Sequence, residues 1–267
     1  MDFAERHIAL IKFLERCPVT DSVYIYAEEH GFSAFEKSYI ETRKKENRVY
    51  SDEIVAQLPD GSFTSQPDEW KKRKRSAQRV QKYFSKVEEV IILDLGCGNG
   101  WFTNVLAKNS QNIFIGMDVN AHELKQATRL FQSPNLCFLH GDIFETPFPL
   151  AIFDYVTINA AVQYFPDLGR LIFRLNELLK ESGEVHIIDS PFYKGHEIGD
   201  ARKRTENYYS QVGNVEMADF YFHHSFDELK KFKFDMLYNP DEGKIIKKIL
   251  GKKDMPFPWI RIKKEIN

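Results

Sequence analysis

The chain is poor in cysteine, in charge imbalance and in long apolar runs. Its 267 residues include three cysteines, Cys17, Cys97 and Cys137, with no CxxC pair. So sparse and odd a count fits a reducing compartment and gives no sign of a zinc site, so no bound metal is expected. Thirty-seven Lys and Arg stand against 39 Asp and Glu, a formal charge of −2. The molecule as a whole therefore has no pull toward nucleic acid or an anionic membrane. Nowhere do eighteen apolar residues run together, so no membrane-spanning helix is expected. The start, "MDFAERHIALIKFLERC", has neither a basic leader nor a small-residue cleavage site. A soluble cytoplasmic protein is the expectation. What is abundant is core-forming material: 43% hydrophobic residues, with 22 phenylalanines.

From Val90 onward, short β-rich runs alternate with helical patterns. The expected strands are 90–95, 112–118, 136–140, 153–159 and 184–189, with helices near 101–109, 121–132 and 167–180 between them. The last helix places Leu168, Leu171, Ile172, Leu175, Leu178 and Leu179 on one stripe, with Gly183 as a stop signal. Such alternation predicts a mostly parallel sheet with helices on both faces. A final pair near 233–239 and 258–264 completes seven strands as an antiparallel edge. Residues 1–68 read as a mainly helical N-terminal extension or cap, with an amphipathic helix near 3–16. Residues 69–267 read as the main domain.

The motif that carries chemistry is "DLGCGNGW" (94–101), directly after the first strand. Gly96, Gly98 and Gly100 form G-x-G-x-G, which permits positive φ and close approach of a ligand, and the helix that follows aims free N–H groups at that ligand. A dinucleotide fingerprint needs a small residue where Trp101 stands, which argues against a nicotinamide or flavin enzyme. A phosphate-binding P-loop is excluded because no G-K-[ST] follows. Asp118 ends the second strand, 18 positions after Gly100, where a carboxylate can accept both hydroxyls of a ribose. Asp142, after the third strand in "HGDIF", can take the exocyclic amine of an adenine, with Ile143 and Phe144 flanking the ring.

Taken together, Asp94, Gly96, Gly98, Gly100, Asp118 and Asp142 resemble the class I S-adenosylmethionine (SAM)-dependent methyltransferases over about residues 70–190. The resemblance implies a Rossmann-like α/β fold and SAM as cofactor. It implies that Asp94 holds the methionine end and that the backbone around Cys97 and Asn159 lines the methionyl group. Trp101, Val119 and Ile143 fall within the same binding stretches. "EWKKRKRS" (69–76), "NAAVQYF" (159–165) and "DSPFY" (189–193) are similar to a poorly characterised bacterial branch of small methyltransferases, which says nothing about the acceptor.

One helical stripe, Trp70, Arg73, Ala77, Val80, Phe84 and Val87, carries an arginine where an apolar residue belongs. Two readings stand: Arg73 is a structural ion pair, or it meets the SAM carboxylate with Trp70 closing over the site. The same helix holds eight Lys or Arg and no acid between 71 and 86. A second basic stretch comprises Lys244, Lys247, Lys248, Lys252, Lys253, Arg261, Lys263 and Lys264. Solvated faces account for both, so a nucleic-acid partner is not expected.

Candidates on the acceptor side are Gln163 and Tyr164 after the fourth strand, Tyr193 after the fifth, and Tyr221 and His224 in "MADFYFHHS" (217–225). His224 could act as general base, or cap a helix at the edge of the core; Tyr164 is the other catalytic candidate. Strand four lacks the proline pair of an amino-methylating loop for nucleic-acid bases. The expected function is methyl transfer to a small or medium-sized metabolite. An RNA or protein methyltransferase and a non-catalytic SAM-binding partner or sensor are the alternatives.

Overall fold

The computed structural model describes residues 1–26, 33–108, 110–242 and 254–264. Nine strands are described: β1 (Val19–Thr20), β2 (Val23–Tyr26), β3 (Ile91–Leu95), β4 (Ile113–Asp118), β5 (Leu136–Gly141), β6 (Phe153–Asn159), β7 (Leu179–Ile188), β8 (Phe234–Tyr238) and β9 (Trp259–Lys263). They form one sheet in the order β1-β2-β5-β4-β3-β6-β7-β9-β8. The six from β2 to β7 run parallel, while β9 is antiparallel to both β7 and β8.

The seven expected strands are present, but the sheet has nine. The N-terminal region, expected to be mainly helical, contributes β1 and β2, and β2 extends the parallel sheet by pairing with β5. The run "VYIY" (23–26) is β-branched and aromatic, which suits a strand on a half-covered sheet edge. β7 also starts five residues early, at Leu179, with an irregular register against Phe153 and Tyr155.

The helices are α1 (Phe3–Leu14), α2 (Ser33–Lys45), α3 (Asp52–Val55), α4 (Pro67–Phe84), α5 (Trp101–Ala107), α6 (Ala121–Leu130), α7 (Leu168–Leu178), α8 (Ile198–Val212) and α9 (Phe226–Leu229). Successive strand residues point to opposite faces, so each strand feeds two cores. Ile91, Leu93 and Leu95 meet α1 and α7 on one face, whereas Ile92 and Phe114 meet α4, α5 and α6 on the other. Burial on both sides explains why the central strands read as unbroken apolar runs. No helix among the described residues is long and apolar enough to cross a membrane. Of the second basic stretch, Lys244, Lys247, Lys248, Lys252 and Lys253 lie outside the described residues.

A buried ion pair fastens α1 to the sheet. Asp154 on β6 is fully buried and accepts from Arg6 Nη2 (2.8 Å) and from the Ile91 backbone N–H (2.8 Å), with Lys180 on its other oxygen. Removing one partner of such a pair leaves the other desolvated and poorly compensated. Arg6→Ala is expected to lower unfolding stability by about 3 kcal/mol in urea titrations, and Arg6→Met by less because its stem still packs. A loss under about 0.5 kcal/mol for Arg6→Ala would mean that the apolar face of α1 alone holds it.

Candidate functional site

Strand order reverses at β3: the chain proceeds outward to β4 and β5 on one side and returns to β6 on the other. At such a switch point the connections leave the carboxyl ends of the strands in opposite directions and open a crevice. A cavity of about 170 Å³ lies there, lined by the loop after β3, the ends of β4 to β6, and side chains of α2 and α4.

The glycine loop is shaped by backbone geometry. Gly96, Gly98 and Gly100 have φ of +74°, +53° and +74°, a region that disfavours any residue with a Cβ. A Cβ on Gly96 would stand 2.5 Å from Ala161 Cβ, and one on Gly98 would stand 3.0 Å from Glu123 Oε2. Gly100 does not line the cavity. A Cβ there would meet the Phe138 ring at 2.7 Å, so this glycine admits close packing of α5 on the sheet.

Three carboxylates sit along the carboxyl edge. Asp94 is fully buried and accepts from Thr103 Oγ1 (2.5 Å) and Thr157 Oγ1 (2.8 Å). Burial pushes its carboxyl up to about 6, against the pull of the two hydroxyls. Asp118 takes the Gly98 N–H on Oδ2 (2.7 Å) and the Asn120 N–H on Oδ1 (2.8 Å), so it braces the loop that it faces. Burial raises its carboxyl above the ordinary range despite those bonds. Asp142 accepts the Phe144 N–H (2.9 Å), and burial raises it as well. Val119 is fixed through its carbonyl, 3.1 Å from His140 Nε2.

Asp94, Gly96, Cys97, Gly98 and Trp101 line the cavity, together with Asp118, Val119, Asp142, Ile143 and Asn159. So do Trp70, Arg73 and Tyr164. Trp70 and Trp101 meet edge to face at 5.1 Å. Arg73 takes part of each reading given above: its Nε donates to Glu69 (2.9 Å), and it lies 5.4 Å from the Trp70 ring on the cavity wall.

Gln163, Tyr193, Tyr221 and His224 do not line it. Gln163 is buried with Nε2 donating to the Ala160 carbonyl (2.7 Å). Tyr193 packs on His223, and Tyr221 stands behind Tyr164 at 6.0 Å. His224 is buried, with Nε2 3.2 Å from the Val162 carbonyl and Nδ1 3.7 Å from Glu228. It occupies the edge of the core beside the Ser225-capped helix α9, away from the cavity.

Several cavity residues went unread in the sequence: Phe35, Tyr39 and Arg43 of α2, Arg48, Tyr50, Glu69, and Asn120 and Glu123 at the start of α6. The spacing of four that joins Phe35, Tyr39 and Arg43 was the available signal, since it lays all three on one helix face. Glu123 is held by the capping bond of its N–H to Asn120 Oδ1 (3.1 Å), and burial with Asp118 beside it pushes its carboxyl up to about 7. Two buried polar atoms on the cavity wall, Asn159 Oδ1 and Asn120 Nδ2, have no hydrogen-bond partner among the described residues. Such atoms are costly unless a ligand or water satisfies them.

Residues 93–187 match the family model described as a methyltransferase domain. Trans-aconitate 2-methyltransferase of Deinococcus radiodurans is 36% identical over 130 residues, covering 47% of this chain and 49% of that protein. The chain spans about half the length of the curated relatives it matches. Phosphoethanolamine N-methyltransferase 2 of Haemonchus contortus, solved with phosphomonomethylethanolamine and S-adenosylhomocysteine (SAH), superposes with a TM-score of 0.54 at 18% identity over 83% of this chain and 60% of that one. Geranyl diphosphate C-methyltransferase of Streptomyces coelicolor A3(2) gives a TM-score of 0.54 at 15% identity, covering 85% and 97%. At these identities the likeness is one of fold. Over residues 93–187, the stretch that holds the glycine loop, Asp118, Asp142 and Asn159, the chain is similar to methyltransferase domains. Two features of the cavity bear on what it can hold: the unpartnered Asn159 Oδ1 can accept from an ammonium, and the glycine loop leaves bare backbone beside it.

Gly96→Ala is expected to destabilise the protein by about 2–3 kcal/mol in thermal or urea unfolding, from positive φ and overpacking combined. Gly96→Ala with Ala161→Gly should regain part of that loss, because the clash goes and the backbone strain stays. Equal stability of wild type and Gly96→Ala would show that the loop relaxes freely.

Proposed function

We propose that this protein transfers a methyl group from SAM to a small-molecule acceptor. The observation that carries the reading is a row of polar groups delivered to one cavity by four adjacent strands. Asn159 ends β6, Asp94 lies in β3, Asp118 ends β4 and Asp142 follows β5. Neighbouring strands lie about 4.8 Å apart, so this row extends over about 14 Å, suited to an adenosine joined to an amino acid. Asp142 then takes the adenine amine and Asp118 the ribose hydroxyls. Asp94 and Asn159 hold the ammonium, Arg73 holds the carboxylate, and Trp70 and Trp101 cover that end.

SAM supplies a methyl group already activated on a sulfonium. What remains for the chain is to orient the acceptor and exclude water, and orientation alone can contribute about 7–11 kcal/mol. Tyr164, with Phe35 and Tyr39 from α2, would form the acceptor wall, and residues 1–68 would close the site. A small acceptor is supported by relatives such as the trans-aconitate methyltransferase and by the side chains of α2 and α4 that wall the cavity.

Titration calorimetry with SAH, with NADH as comparator, tests the reading. Asp118→Asn is expected to weaken SAH by at least about tenfold; unchanged affinity would remove the ribose assignment. Arg73→Gln should weaken SAH by about tenfold while leaving 5′-methylthioadenosine, which lacks the amino-acid end, unaffected. An equal loss for both would return Arg73 to a purely structural role.

A further inference from the structure

Five side chains on the wall between α2 and α4 form an alternating chain of charge. Arg43 Nη1 lies 3.2 Å from Glu46, and the same carboxylate lies 3.4 Å from Arg48 Nε. Arg48 then grips Glu69 with both terminal nitrogens (3.1 and 2.7 Å), and Glu69 takes Arg73 Nε at 2.9 Å. Three guanidiniums share two carboxylates, so the chain carries one surplus positive charge and ends in an arginine at each side. Glu69 shows how strongly the field acts: burial would raise its carboxyl, yet the arginines bring it down to about 2.

The two ends face different surroundings. Arg73 lies against Trp70, on the cofactor side. Arg43 lies among rings, 4.8 Å from the centroid of Tyr39 and close to the phenol of Tyr164. Tyr164 packs against Phe35 at 5.5 Å and Tyr39 at 5.7 Å. The charged and titratable groups around Arg43 are Glu46, Glu123 and Arg48, with the phenols of Tyr39, Tyr164, Tyr208, Tyr209 and Tyr221. Burial keeps the Tyr39 phenol neutral, and burial with Asp118 beside it raises the Glu123 carboxyl, which weakens it as a counter-ion for Arg43. Arg43 thus presents a cation to the cavity inside an aromatic frame, and a desolvated guanidinium calls for an anion with planar geometry.

We propose that the methyl acceptor is a carboxylate carried on a flat apolar body, held by Arg43 between the rings of Phe35, Tyr39 and Tyr164. The inference rests on the SAM-binding reading above. Its chemistry balances without a base: a carboxylate oxygen lone pair forms the new O–CH₃ bond, and the S–CH₃ pair stays on sulfur. The negative charge of the acceptor and the positive charge of the sulfonium vanish together, and no proton moves. Among the described residues no histidine lines the cavity, in keeping with an acceptor that arrives already ionised.

The test uses 2-naphthoate and its neutral isostere 2-naphthamide as probes, titrated into the full-length protein saturated with SAH. Naphthoate is expected to bind at least about tenfold more tightly than naphthamide. Arg43→Gln should bring the two within about twofold while SAH affinity stays within about twofold of wild type; Arg43→Lys should keep part of the preference. The proposal is overturned if wild type does not distinguish the probes, if neither binds, or if the preference survives Arg43→Gln. It is also overturned if Arg43→Gln loses SAH and naphthoate in parallel, which would assign Arg43 to the cofactor. Failure of wild type to bind SAH would bring down the cofactor reading as well, and is distinguished because it is seen before either probe is added.

Discussion

Everything at the site depends on the reversal of strand order at β3. Because β4 and β6 flank the same central strand, the loops leaving β3 and β6 diverge, and the crevice between them needs no side chain to hold it open. The neighbouring strand ends are then obliged to deliver their last residues to that space: Asp118 from β4, Asn159 from β6. Asp118 shows how tightly frame and site are joined. Its carboxylate carries the Gly98 and Asn120 N–H groups, so the group proposed to read the ribose is also the one that fixes the loop conformation.

This central part of the molecule was legible in the sequence because its signals are local. Apolar strands of five to seven residues, a G-x-G-x-G after the first, and an acid at the end of the second are set by backbone geometry and by burial on both faces. The stripe of α7 is of the same kind, with Leu168, Leu171, Ile172, Leu175 and Leu178 all buried and Phe173 left outside. Where the reading fell short, the deciding contact was distant along the chain. The joining of β2 to β5 spans more than a hundred residues, and no periodicity within 23–26 announces it. His224 was drawn toward catalysis by its chemistry alone, whereas its place was decided by the Val162 carbonyl, 62 residues away, and by the α9 cap. Gly100 fitted the motif as a ligand contact, yet the group that excludes a Cβ there is Phe138 on β5.

The N-terminal region shows the same limit from the other side. α1 is anchored by a buried ion pair to β6, and α2 by Asn214, whose Nδ2 lies 2.8 Å from the Ser38 carbonyl and 2.8 Å from Thr42 Oγ1. His122 and Glu36 make a further link between α2 and α6, the Glu36 Oε1 accepting the His122 N–H at 3.4 Å. The helix that supplies Phe35, Tyr39 and Arg43 is therefore tied to elements on both sides of the cavity, and side chains on it can act as a wall of fixed shape.

Charge in the cavity divides along the same line. On the strand side, burial lifts Asp94 from its ordinary 3.8 to about 6, which corresponds to about 3 kcal/mol of disfavoured ionisation. A cation placed beside it lowers that cost, so the strand side favours the ammonium and sulfonium of the proposed cofactor. On the helix side, the linked arginines carry a surplus of positive charge and favour anions, in the proposed reading the cofactor's carboxylate at Arg73 and the acceptor's at Arg43. Each wall is imperfectly neutralised by the protein alone, and the two imperfections have opposite sign. A ligand pair that is cationic toward the sheet and anionic toward α2 and α4 corrects both, and the reacting centres, a sulfonium and a carboxylate, would meet where the two walls face each other.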